Sequence, residues 1–384
     1  MTAPYTHIET QLVHAGEPLP RIAGAVEMPI FQSATYESQG EASYHDLRYL
    51  RTNNTPSQLA LHAKIAVLER AEAALVSASG MAAISTTLLA VLSSGDHLLA
   101  QSCLYGGTHD LITGELPKLG ISADFIDAQR PDSWEARLRP TTRAIYVETM
   151  TNPLLEVGDL EGVARFARAH GLVSIIDNTL ATPVNFRPLE VGFDLAVHSA
   201  TKYLNGHSDI VAGAVAGTAA TIERIRQRAN HLGGCLDPHA AFLLKRGLKT
   251  LALRVRYQND SALEIAQFLE AHPAVARVNY AGLESHPQHA RARRLFAGFG
   301  GLLSFELEGP ARRAEEFAQR VRIPTVAPSL GGVHTLLTRP ASTSHAGLSR
   351  ADRERLGISE GLLRLAVGIE ATEDLLEDFR QALG

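Results

Sequence analysis

The sequence predicts an α/β protein with a mostly parallel central sheet flanked by helices, followed by a smaller C-terminal α/β domain. Three observations carry that expectation. Short apolar runs alternate with helical patterns through the first two thirds of the chain, as parallel strands joined by crossover helices require. A length of 384 residues suits two or three domains with a sizeable core. A composition of 45% hydrophobic and 20% charged residues excludes disordered and fibrous classes.

The first fifty residues, broken by Pro4, Pro18, Pro20 and Pro29, show no sustained helical period and read as an extended arm, residues 1–50. Apolar positions then recur at the helical period from Gln58 to Ala73, ahead of a strand at Ala74–Ser77 and a helix opening at Ser79-Gly80-Met81 and running to Val91. Strands are expected at His97–Gln101, Ala123–Ile126, Ala144–Thr149 and Val173–Asp177, with helices near Thr108–Leu119 and at Leu160–His170. Leu195–His198 and Ile210–Ala216 continue the sheet, closing a main domain over 51–250. The pattern from Pro238 to Ala271 is one long helix or two in series, a connector into a C-terminal domain over 251–384. That domain has strands at Val275–Tyr280 and Gly301–Leu307 and helices at Ala311–Arg320 and Thr372–Leu383.

The formal net charge of -5 gives no basic field for nucleic acid or an anionic membrane, so a small-molecule partner is expected. No run of about 18 apolar residues occurs, and the N-terminus lacks a basic stretch followed by an apolar one, so the expected location is the cytoplasm. The two cysteines, Cys103 and Cys235, suit a reducing compartment, and His231 and His239 near Cys235 are too few for a metal site, so no metal is expected. Only five basic residues are lysines: Lys64, Lys118, Lys202, Lys245 and Lys249. In a chain that otherwise uses arginine, each lysine asks for a reason.

Chemistry concentrates at three places. In His198-Ser199-Ala-Thr201-Lys202-Tyr203, a strand ends in two hydroxyls and a lysine. That string suits either a solvated strand end or a lysine that condenses with an aldehyde beside a phosphate site. Asp177 ends an apolar strand, and a buried acid there needs a cation such as a protonated pyridine nitrogen, unless it merely caps the next turn. The Ser79-Gly80-Met81 strand-to-helix turn offers free N–H groups to an anion, and Tyr105 before Gly106-Gly107 offers either a loop anchor or a ring face.

Taken together these parts resemble the pyridoxal phosphate enzymes of cysteine and methionine metabolism. That group holds cystathionine γ-synthase, the cystathionine lyases, methionine γ-lyase and the O-acylhomoserine sulfhydrylases. The resemblance runs from Gly24-Ala25-Val26 to Arg364-Leu365-Ala366-Val367-Gly368 and is strongest at His198–Tyr203. It implies a type I pyridoxal-phosphate transferase fold, with 51–250 binding the cofactor, pyridoxal 5'-phosphate. Lys202 would then bond to the cofactor and move protons, Asp177 would face the ring nitrogen and Tyr105 would stack on the ring. Gly80, Met81, Ser199 and Thr201 would cradle the phosphate. Tyr49 and Arg51 would reach a partner subunit's phosphate from the arm, in a homo-oligomer expected to be a dimer of dimers. Arg364 would grip the substrate carboxylate, assisted by Asn152 and Ser329.

The expected activity is a carbon–sulfur lyase acting by α,γ-elimination on a sulfur amino acid, with Lys202 as base and Tyr105 as acid for the departing group. γ-Replacement on an O-acylhomoserine uses the same residues, and an aminotransferase is a more distant reading. Three departures bear on specificity. The turn after Arg51 reads Asn54-Thr55-Pro56 rather than Asn-Pro-Thr, Gly107 stands where methionine γ-lyases place a cysteine, and His334 stands where many cystathionine enzymes carry a glutamate. Loss of that carboxylate is expected to weaken recognition of the distal ammonium of cystathionine.

Overall fold

The computed structural model describes residues 5–343, 346–347 and 349–384. Twelve strands among these fall into two sheets: β1 (Ala73–Ser77), β2 (His97–Gln101), β3 (Ser122–Ile126), β4 (Thr142–Glu148), β5 (Val173–Asp177), β6 (Leu195–Ser199) and β7 (Gly213–Gly217) in the first, and β8 (Val275–Asn279), β9 (Leu302–Leu307), β10 (Thr325–Val326), β11 (Leu336–Thr338) and β12 (Leu362–Ala366) in the second.

The seven-stranded sheet has the order β1-β7-β6-β5-β4-β2-β3. Its neighbours are parallel except that β7 runs antiparallel to both β1 and β6. The mostly parallel sheet of the sequence reading is therefore present, with β7 as the reversed member. Strands β2, β4 and β5 are buried on both faces, which is why they read as continuous apolar runs rather than alternating ones. The carboxyl ends of β4, β5 and β6 deliver Glu148, Asp177 and Ser199 to one edge, where ligands bind in such sheets.

The second sheet, β10-β11-β12-β9-β8, is antiparallel apart from the β10–β11 pair. Its core includes Phe305, Phe317 and Phe379. The helical pattern over 238–271 resolves into two helices, Pro238–Leu248 and Leu251–Ala271. The second of these spans both cores, with Leu251 and Val255 in the main one and Ile265 and Leu269 in the C-terminal one.

Several elements differ from the sequence reading. The arm contains a helix, Ile8–His14, whose Leu12 is 1% exposed. Helix Ala219–Leu232 was not expected, although Thr218 caps its start and Gly233 closes it with a φ of 82°. The segment expected as one helix near 108–119 breaks into three short turns, Gly106–Asp110, Leu111–Glu115 and Leu116–Leu119. Arg364 sits in the middle of a strand, β12, whose five residues are all buried. Among the described residues, no helix is long and apolar enough to cross a membrane.

Candidate active site

A cavity of about 660 Å³ opens at the carboxyl edge of the main sheet, where loops of the C-terminal region fold over it. Ten of the residues expected from sequence line it: Gly80, Met81, Tyr105, Asn152, Asp177, Ser199, Thr201, Lys202, Ser329 and Arg364. Glu148, Met150, Leu180, Val211, Pro328 and Thr343 line it as well.

Lys202 follows β6 by three residues, and its Nζ donates to Ser329 Oγ at 2.8 Å. Burial and the charge of Arg364 bring its amine down to about 8. A substantial fraction of uncharged, nucleophilic amine is therefore present near neutral pH. Arg364 reaches the same serine by another atom. Its Nη2 donates to the Ser329 carbonyl at 2.9 Å and its Nη1 to Asn152 Oδ1 at 3.1 Å, while its buried Nε finds no acceptor among the described residues. Burial lowers the guanidinium to about 10, and no acid pairs with it among the described residues. A buried cation of this kind is stabilised by an incoming carboxylate. Ser329 holds both groups from a left-handed backbone, φ 94°, a conformation costing a non-glycine residue about 1–3 kcal/mol.

Asp177 closes β5 at 9% exposure. Its Oδ1 accepts the Thr179 N–H at 2.9 Å and its Oδ2 the Tyr146 hydroxyl at 3.4 Å, and no cation pairs with it among the described residues. Burial pushes its carboxyl up, opposed by the Thr179 bonds, the His198 imidazole and Tyr146. Behind it, His198 Nε2 meets Glu69 Oε1 at 2.5 Å with both side chains buried.

The helix Gly80–Val91 begins at the cavity wall. Ser79 caps it by taking the Ala82 N–H, at 3.0 Å, on its hydroxyl and the Ala83 N–H, at 3.1 Å, on its carbonyl, which leaves the first N–H groups of the helix for an anion. A Cβ on Gly80 would lie 2.7 Å from Ser199 Cβ, so only glycine lets this helix end meet that serine. The Thr201 hydroxyl, by contrast, is engaged by Ala212, donating to its carbonyl at 3.1 Å and accepting its N–H at 3.0 Å. Tyr105 lies over Gly107, where a Cβ would approach its Cε1 to 2.8 Å. The absence of a side chain at 107 thus gives the ring its place.

Tyr49 and Arg51 are not brought to this cavity. They lie on the arm, where Arg51 donates to the Asn230 carbonyl at 2.5 Å and to the Tyr44 hydroxyl. His334 is exposed and is not among the residues that line the cavity in the single chain. Glu148 is the ionisable residue that the sequence reading missed. A partial signal was available, because this acid is the penultimate residue of the expected strand Ala144–Thr149 and ends β4 in the structure, as Asp177 ends β5.

A nucleophilic amine, a buried acid short of a cation, a helix start free for a phosphate and a buried arginine short of a carboxylate define an enzyme that holds an aldehyde cofactor and an amino acid. The chain belongs to the Cys/Met metabolism PLP-dependent enzyme family, whose sequence pattern matches residues 9–384, and its cofactor is pyridoxal 5'-phosphate. It is 43% identical over 376 residues to a cystathionine gamma-lyase of Bacillus subtilis (strain 168), covering 98% of each chain. It is 41% identical over 379 residues to a cystathionine beta-lyase of Lactococcus lactis subsp. cremoris (strain MG1363), covering 98% of this chain and 99% of the other. The crystal structure of a cystathionine gamma-lyase from Lactobacillus plantarum complexed with L-serine superposes with a TM-score of 0.93 at 39% identity over 98% of both chains.

Proposed function

We propose that the protein is a carbon–sulfur lyase that cleaves a cystathionine-like thioether amino acid on the Cγ side of sulfur. The observation carrying this reading is the convergence on one cavity of Lys202, Asp177 and a buried Arg364 that has no acid partner among the described residues. When bound, pyridoxal phosphate supplies an electron-withdrawing ring that accepts the electron pair left when the substrate loses its Cα proton. Asp177 is assigned to the ring nitrogen, and Gly80, Met81 and Ser199 to the phosphate. Thr201, with its hydroxyl committed to Ala212, shapes the turn that carries Lys202.

Arg364 grips the α-carboxylate in a forked pair and Asn152 fixes the guanidinium, which orients the Cα–H toward Lys202. Lys202, with its amine near 8, takes the proton from Cα and returns protons along the carbon chain. Tyr105, which lines the same cavity, is assigned to protonate the departing sulfur. Tyr49 and Arg51 are assigned to the phosphate of a neighbouring subunit in a homo-oligomer, a dimer of dimers. Their position away from their own cavity supports this, as do the arm's Leu19 and Val26, 87% and 79% exposed in the single chain.

Cystathionine supplied to the holoenzyme separates the outcomes. Cysteine with 2-oxobutyrate and ammonia is the expected product set. Homocysteine with pyruvate would move the cleavage to the Cβ side. An O-acylhomoserine consumed faster than cystathionine, and only with added thiol, would overturn the lyase reading in favour of replacement.

A further inference from the structure

We propose that Glu148 is a positioning residue that holds the single proton of an acid pair with Asp177, anchoring the Tyr105 loop while leaving Asp177 the only anion facing the cofactor. The argument starts from register. Glu148 and Asp177 are partners across the parallel strands β4 and β5, so their side chains leave the same face of the sheet, on strands about 4.8 Å apart. Both line the cavity, at 6% and 9% exposure. Two carboxylates so placed in a dry site do not both ionise.

Their surroundings decide which one keeps the proton. Asp177 accepts from Thr179 N and Tyr146 Oη and has the His198 imidazole behind it, itself tied to Glu69. Among the described residues, Glu148 accepts one bond on its carboxyl, from Tyr105 N at 2.7 Å. Across the cavity the Lys202 amine is held by Ser329, and Arg364 is shared between Ser329 and Asn152. On the loop after β2, the Cys103 thiol is pushed up to about 12 by burial, then by Glu148 and Glu156, and brings no charge. Burial and the neighbouring Asp177 together push Glu148 well above the usual carboxylate range. A neutral Glu148 still accepts the Tyr105 N–H, so the ring-bearing loop is fixed without a second negative charge competing for the ring's cation. This deepens the assignment of Asp177 to the ring nitrogen and rests on it.

The test uses the cofactor-free protein. Infrared spectra at pH 7 should contain the carbonyl stretch of a buried, protonated carboxylic acid that disappears in Glu148→Gln. In Asp177→Asn the band should be lost at lower pH than in wild type, because the like charge opposing ionisation is gone. A band that survives Glu148→Gln and vanishes in Asp177→Asn, or no such band in wild type, would overturn the proposal. Titrating pyridoxal phosphate into the same proteins separates this from the underlying assignment. Glu148→Gln, which keeps the acceptor, should bind within about threefold of wild type, and Glu148→Ala about tenfold more weakly. Equal weakening in both variants counts against the neutral acid. Unaltered binding and an unaltered pH dependence of the visible band in Asp177→Asn would instead sink the role of Asp177, whatever the infrared result.

Discussion

Lys64 and Lys202 are both removed from bulk water, and both have amines lowered by burial, to about 7 and about 8. Their neighbourhoods differ. Lys64, on the helix Pro56–Glu69 and fully buried, donates to the carbonyls of Leu12 at 2.7 Å and Val13 at 3.4 Å and lies 4.0 Å from Glu17. Lys245 pairs with the same Glu17 at 2.7 Å, and Lys249 with Glu27. Three of the five lysines thus fasten the N-terminal arm onto the main domain. Lys202 has one hydroxyl, an arginine as its charged neighbour and open space in front of it. Burial lowers both amines, and the number of acceptors decides which one is free to react.

The largest effect that should break the comparison is Lys202→Ala, expected to cost at least ~10⁴-fold in kcat with cystathionine while the melting temperature moves by only a few degrees. Lys64→Met should do the reverse, with kcat within about threefold and stability reduced by about 3 kcal/mol as measured by denaturant titration. If Lys64→Met abolished turnover in a fully folded, cofactor-loaded protein, the two roles would not be separable.

Next in size is Arg364→Leu. Loss of a forked, charge-assisted grip on a carboxylate is expected to lower kcat/KM by roughly ten- to a hundredfold, mostly through KM, in steady-state assays. An unchanged KM would place the substrate carboxylate elsewhere.

The pH dependence sharpens the contrast further. An unfolded lysine titrates near 10.4. Folded Lys64 titrates at about 7, so between those values the unfolded chain binds more protons and stability rises with pH. Below about 7 both states carry the proton and the cost of burying it is constant. Unfolding free energies of wild type and Lys64→Met at pH 7, 8.5 and 10 should therefore diverge, with wild type gaining as pH rises. A constant gap would mean that Lys64 stays charged. The smallest effect is expected at His334, which is exposed: His334→Glu should leave the ratio of kcat/KM for cystathionine and a smaller thioether unchanged within about twofold.

Much of this site could be read from sequence because its residues end strands. Asp177 closes β5, and Lys202 follows β6. Pairing them required only the alternation of elements and the local motif. Glu148 obeyed the same rule but passed unnoticed because the sheet register that sets it beside Asp177 is not written in either strand alone. The arm helix Ile8–His14 was invisible for another reason. Seven residues are too few to nucleate a helix unaided, and this one is stabilised by packing Leu12 and by the Lys64 bond to its carbonyl. Strand β12 hid behind Arg364, since a charged residue amid leucines looks like a surface break until its partners are known.

Ser329 joins two things that are usually tuned apart. Its hydroxyl meets the reactive amine and its carbonyl meets the carboxylate grip. The separation between those two contacts is consequently set by the few covalent bonds within one residue, held rigid by a backbone that it adopts only under constraint. A shift of backbone at that one residue would therefore move the amine and the guanidinium together, so neither can be repositioned alone.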